Sequence, residues 1–144
     1  MATNGLAVFD RTLHESNLWL KELMDELGMD SREDAYAALK ATLHALRDRI
    51  GPANAVHLGA QLPILLRGVF YEGWHPAGTP THERHLGAFI DHLAQRLPAR
   101  LADEAGPIAR AVFNVMWRRI DVGEVAKLIE MLPLELRDLF ASAA

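Results

Sequence analysis

The chain has 144 residues, 50% of them hydrophobic and 24% charged, with a formal net charge of −4 and no cysteine. That suffices for one soluble domain or two small ones, because a chain this long buries roughly 70% of its unfolded surface and needs no metal or disulfide. The composition excludes disulfides, thiolate nucleophiles and cysteine-based zinc sites and fits a cytoplasmic protein. With Lys and Arg spread along the chain, it offers no basic stripe for nucleic acid.

The opening "MATNGLAVFDRTLHESN" has no basic stretch followed by an apolar one, so no signal peptide is read there, and "AVF" is too short for a strand. Ser16 is expected to cap a helix running to Leu27, with Leu20, Leu23, Met24 and Leu27 at helical spacing and Gly28 as its stop. A second helix follows from an Asp30 or Ser31 cap, with Glu33 and Asp34 in the first turn where negative charge suits the helix dipole. Leu39, Leu43, Leu46 and Ile50 form its inner stripe, and Lys40, Arg47 and Asp48 are expected to face water.

Gly51-Pro52 breaks the chain and opens a third helix, from about Ala53 to Gln61. Pro63 would remove a backbone bond from a continuing helix, so Leu62-Pro63 is read as the junction to a fourth, Pro63 to Tyr71. The most apolar run, Leu58 to Leu66, is about half of what a membrane-spanning helix requires, and Arg67 ends it, so no membrane anchor is expected. "GWHPAGTP" (73–80) is the Gly/Pro-rich linker.

Beyond the linker the pattern repeats. A shift of 70 positions superposes "LPILLRGVF" (62–70) on "LPLELRDLF" (132–140), and pairs Ile50 with Ile120, Leu58 with Leu128 and Leu23 with Leu93 without a gap. The junction recurs at Leu132-Pro133, with Glu135 in the first turn of the last helix. The expected fold is all-α: two similar halves of about four helices each, 13–72 and 83–140, joined by 73–82 and fused into one bundle with a single core.

"LKATLHALRDRIGPANAVHLGAQLPILLRGVFYEGWHP", echoed by "RRIDVGEVAKLIEMLPLELRDLF", resembles the bacterial proteins grouped as DUF2267. The likeness runs from about Asn17 to Phe140, and its most specific parts are "AQLPILLRG", "YEGW" and "LPLELRDLF". The resemblance implies an all-helical bacterial cytosolic protein. It brings no activity, substrate or catalytic residue.

Three groups of residues are candidates for a site. Arg67 and Arg137 each follow the repeated proline by four residues. A guanidinium there can clamp a carboxylate or phosphate, or bond helix-end carbonyls of its own half, and its recurrence favours the structural role. His82, His85 and His92, near His75, Glu72 and Glu83, would share one side of a helix starting at about Thr81 and so hold zinc or a similar ion. They lack the His-Glu-x-x-His spacing, which leaves solvated helix-start histidines as the default. Tyr71, Glu72, Trp74 and His75 have no counterpart in the second half, and form either a small pocket or partner anchor, or a cover over the seam between halves.

No Gly-rich phosphate loop or G-x-S-x-G elbow occurs, serine is confined to Ser16, Ser31 and Ser142, and "DELGMDSRED" (25–34) lacks the ligand alternation of a calcium loop. No catalytic residue and no cofactor are therefore expected. The sequence reads as a non-enzymatic helical module that binds an unidentified protein or itself. The alternative is a small-ligand or metal-binding protein that uses the linker region.

Overall fold

The computed structural model describes residues 5–141. Ser142, with the end of the closing "ASAA", and the first four residues of the N-terminal segment lie outside them. Regular structure among the described residues is entirely helical: α1 (Ala7–Leu27), α2 (Arg32–Ile50), α3 (Pro52–Ala60), α4 (Ile64–Tyr71), α5 (Leu86–Arg96), α6 (Ala105–Arg119), α7 (Val122–Met131) and α8 (Asp138–Ala141). Short 3₁₀ turns cover Pro76–Gly78, Ala99–Glu104 and Leu134–Arg137. None of the described helices is long and apolar enough to cross a membrane.

The helix signals act where their chemistry requires. Ser31 Oγ accepts from the Asp34 amide at 3.1 Å and caps α2. Gly28 ends α1 in the left-handed region, φ 64°, and its amide bonds Met24 O. Pro63 and Pro133 each sit just outside a helical turn, beginning Ile64–Tyr71 and Leu134–Arg137. The last element is thus not one helix from Pro133, but a 3₁₀ turn that continues as α8.

The start of α1 differs from expectation. Ser16 is not its cap but a buried residue inside the helix, and its hydroxyl has no partner among the described residues. The helix begins nine residues earlier, because a tertiary contact holds the extension: Thr12 Oγ1 accepts from the Leu65 amide of α4 at 2.9 Å. A serine's local preference for caps yields to packing of this kind.

A continuous buried cluster joins all the helices, with Leu39, Leu43 and Leu46 of α2, Phe70 of α4, Phe89 of α5 and Phe113 of α6 fully enclosed. Phe113 and Phe140 meet with ring centroids 4.4 Å apart. At the edge of this core, Arg118 of α6 bonds Glu22 at 3.0 Å and Glu26 at 2.9 Å, tying α6 to α1.

α2 is the central helix, in contact with α1, α3, α4, α5 and α6. That placement overturns one expectation: Arg47 and Asp48, read as water-facing, are only 3% and 7% exposed. The part of α2 over residues 41–50 is enclosed by its neighbours, so polar residues off its apolar stripe are buried there, while Tyr36 and Lys40 nearer its start still reach water.

Candidate functional site

Arg67 and Arg137 hold the ends of the helices that precede them. Arg67 donates from Nε to Gly59 O at 2.9 Å and from Nη2 to Ala60 O and Leu62 O, both at 3.4 Å. Arg137 donates from Nε to Leu132 O at 3.0 Å and from Nη2 to Glu130 O at 2.9 Å. Carbonyls in the last turn of a helix lack intrahelical donors, and a planar guanidinium reaches several at once.

In "YEGW" the aromatic rings are used for packing. Tyr71 stacks on Trp74 at 5.4 Å and meets Phe70 edge-on at 5.2 Å. The Tyr71 hydroxyl sits against the backbone of Gly59, where no side chain fits. Trp74 packs on the core with its Nε1 buried and without an acceptor among the described residues. The exposed Glu72 carboxylate pairs with Lys40 at 3.3 Å. His75 and His82 are exposed.

The expected alignment of the histidines does not occur. The helix begins at Leu86 rather than near Thr81, because the Glu135 carboxylate accepts from the Leu86 amide at 3.2 Å and fixes its first turn. His82 and His85 therefore precede the helix that carries His92. His85 Nδ1 lies 3.1 Å from Glu135, while His92 turns inward to Glu83. Among the described residues, no three His, Asp or Glu side chains are grouped so as to hold a metal ion.

His92 belongs instead to a chain of charges beneath the linker. Arg47 donates to Asp48 from Nε at 2.8 Å and from Nη2 at 3.3 Å, and its Nη1 bonds Phe70 O at 2.9 Å and Glu72 O at 3.0 Å. Arg96 donates from Nη2 to Asp48 at 2.6 Å and from Nε to His92 Nε2 at 3.0 Å. His92 Nε2 thus accepts, and Nδ1–H donates to Glu83. The backbone of the linker joins the same network, with the Thr81 amide on Asp48 O at 2.8 Å and Arg49 on Glu83 O at 2.6 Å.

These contacts set the acidities. Burial opposes ionisation of Asp48, but the hydrogen bonds and charges of Arg47 and Arg96 outweigh it and hold the carboxyl below its ordinary value. Burial likewise opposes ionisation of Glu83, and the Thr81 hydroxyl and His92 reverse the balance. Thr81 lies close enough to act on that carboxylate without the geometry of a full hydrogen bond.

Beside this network a cleft of about 510 Å³ opens between α2 and the end of α5. Lys40, His44 and Arg96 supply its polar groups, and Tyr36, Leu97 and Pro98 its walls. His44 Nε2 donates to Val69 O at 2.7 Å. Burial lowers the pKa of His44, and the nearby charges of Arg47, Arg96 and Lys40 act in the same direction, against the Val69 carbonyl. Sequence reasoning missed Arg47, Asp48, Lys40, His44 and Arg96. One signal was available: Arg47 follows Leu43 by four residues, at the edge of the apolar stripe.

A family model described as "Uncharacterized conserved protein (DUF2267)" matches residues 16–142. No curated protein matches the chain.

Proposed function

Because the chain belongs to the DUF2267 family, a membership that assigns no chemistry, we propose a function from its own surface: a non-enzymatic helical module that binds protein, with a second copy of itself as the partner. One observation carries this reading. The exposed large apolar side chains Leu6, Val8, Phe9 and Leu13 gather on the first turns of α1, and Ile64 and Leu65 join them where Thr12 bonds α4. Phe9 is 64% and Leu6 61% exposed. Contiguous apolar surface of this kind marks an interaction site in a soluble protein.

Leu6, Phe9 and Leu13 recur at the three-four spacing of a helix-pairing seam. A twofold axis crossing α1 sets the same stripe of two copies face to face, the usual arrangement of a homodimer. Asp10 and His14 border the stripe one turn apart, so antiparallel pairing brings the carboxylate of each copy toward the imidazole of the other.

The same reading takes the chain as a single domain of two helical repeats, 13–72 and 83–140. In its support, α2, α3 and α4 recur 70 positions later as α6, α7 and the final turn with α8. Arg67 and Arg137 bond matching carbonyls, Ala60 and Leu62 against Glu130 and Leu132. The alternative of a ligand or metal site made from the linker residues has less support, since Tyr71 and Trp74 pack on each other and the histidines bond separate partners.

Sedimentation velocity over a concentration series tests the proposal. A dimer is expected for the wild type and a monomer with an unchanged melting temperature for Phe9→Arg/Leu65→Glu, both positions being exposed. A wild type that stays monomeric into the high micromolar range, or a double variant that still dimerises, overturns it.

A further inference from the structure

We propose that the cleft between α2 and α5 binds a small monocarboxylic acid with an apolar body, its carboxylate held by Lys40, His44 and Arg96 and its body lying against Tyr36, Leu97 and Pro98. The proposal concerns a different surface from the α1 patch and does not depend on it.

The charged groups of the cleft lining point to an anion. Arg47, Lys40 and Arg96 face His44, and the carboxylates beside them are Asp48, on Arg47 and Arg96, and Glu72, on Lys40. Lys40 and Arg96 line the cleft and no described carboxylate does, while Glu83 reaches Arg96 only through His92.

The donors at the cleft are also incompletely engaged. Arg96 commits Nε to His92 and Nη2 to Asp48, which leaves Nη1 without a partner among the described residues. Lys40 reaches Glu72 only through an exposed pair, with side chains 41% and 62% accessible, and such pairs yield readily to a better acceptor. Its Nζ also stands 5.7 Å from the centre of the Tyr36 ring, so charge and aromatic wall adjoin. His44 gives Nε2–H to Val69 O, which leaves Nδ1 unprotonated in the neutral ring. A carboxylate at Nδ1 requires a proton there. Binding therefore takes up a proton, and affinity rises as the pH falls through the range in which His44 titrates. The mainly apolar wall selects an aromatic or branched aliphatic acid over inorganic phosphate.

The test is titration of the full chain with benzoate, followed by the ring signals of His44 and by calorimetry, with benzamide and inorganic phosphate as comparisons. Saturable binding of benzoate is expected, tighter at lower pH, with little response to benzamide or phosphate. Lys40→Gln should bind about tenfold more weakly, the loss of one charged hydrogen bond. His44→Gln, checked for folding by its melting curve, should bind without proton uptake. An absent response to benzoate, an equal response to benzamide, or unchanged binding by Lys40→Gln overturns the proposal.

Discussion

Arg47 and Asp48, neighbours in sequence and both buried in α2, bond each other and hold the linker between them: Arg47 fixes its start through Phe70 O and Glu72 O, and Asp48 its end through the Thr81 amide. Removing one member of a buried pair leaves an uncompensated charge, so Asp48→Asn should destabilise the fold by about 3 kcal/mol or more. Asp48 and Glu83 both have folded-state pKa values below their ordinary 3.8 and 4.5. The stability they contribute is present above those values and is lost as the pH falls through the folded-state values. Denaturant melts down the acid limb should show a shallower pH slope for Asp48→Asn than for the wild type.

Arg67 and Arg137 perform the same task for α3 and α7, bonding the carbonyls at the helix ends. Arg67→Ala should cost about 1.5–3 kcal/mol in denaturant melts, the range for losing hydrogen bonds from a charged donor. Arg67→Lys should recover only part of that, because one ammonium cannot span three carbonyls as a planar guanidinium does. Full recovery by lysine would show that charge alone suffices.

The comparison of sequence with structure separates local from tertiary causes. Gly28, Ser31, Pro52, Pro63 and Pro133 act within a few residues of themselves, so the boundaries they set were legible, as were the inward leucines of α2. The features that escaped depend on distant partners. α1 extends past Ser16 because Thr12 meets Leu65, 53 residues on. α5 starts at Leu86 because of Glu135, 49 residues on. Arg47 and Asp48 are buried because five other helices surround α2, which no periodicity within α2 reveals.

Burial and three neighbouring cations hold the His44 pKa below the ordinary 6.5, so the folded chain prefers the neutral ring more than the unfolded chain does. The unfolded state binds more protons in that window, and stability rises with pH across it: the contribution is present above 6.5 and lost as the pH falls through the folded-state value. His44→Gln keeps a donor for Val69 O and does not titrate. Its melting temperature should vary less with pH than that of the wild type, and in the wild type the ring signals of His44 should titrate below 6.5.

Tyr71 and Gly59 form a contact that admits no added atom. The Tyr71 hydroxyl occupies the place where a side chain at Gly59 would begin, and its ring cannot swing away because Phe70 meets its edge and Trp74 its face. Gly59→Ala should therefore destabilise the fold by about 1–3 kcal/mol, the cost of overpacking a filled site. Tyr71→Phe removes the nearest clashing atom but leaves the ring carbon behind it, which also crowds the position. In a double-mutant cycle, Gly59→Ala/Tyr71→Phe should be more stable than the sum of the two single changes allows, with part of the loss remaining. Simple additivity would mean that α3 and α4 move apart to admit the methyl group. In that case the destabilisation would come from the displaced Arg67 bond to Gly59 O rather than from the tyrosine.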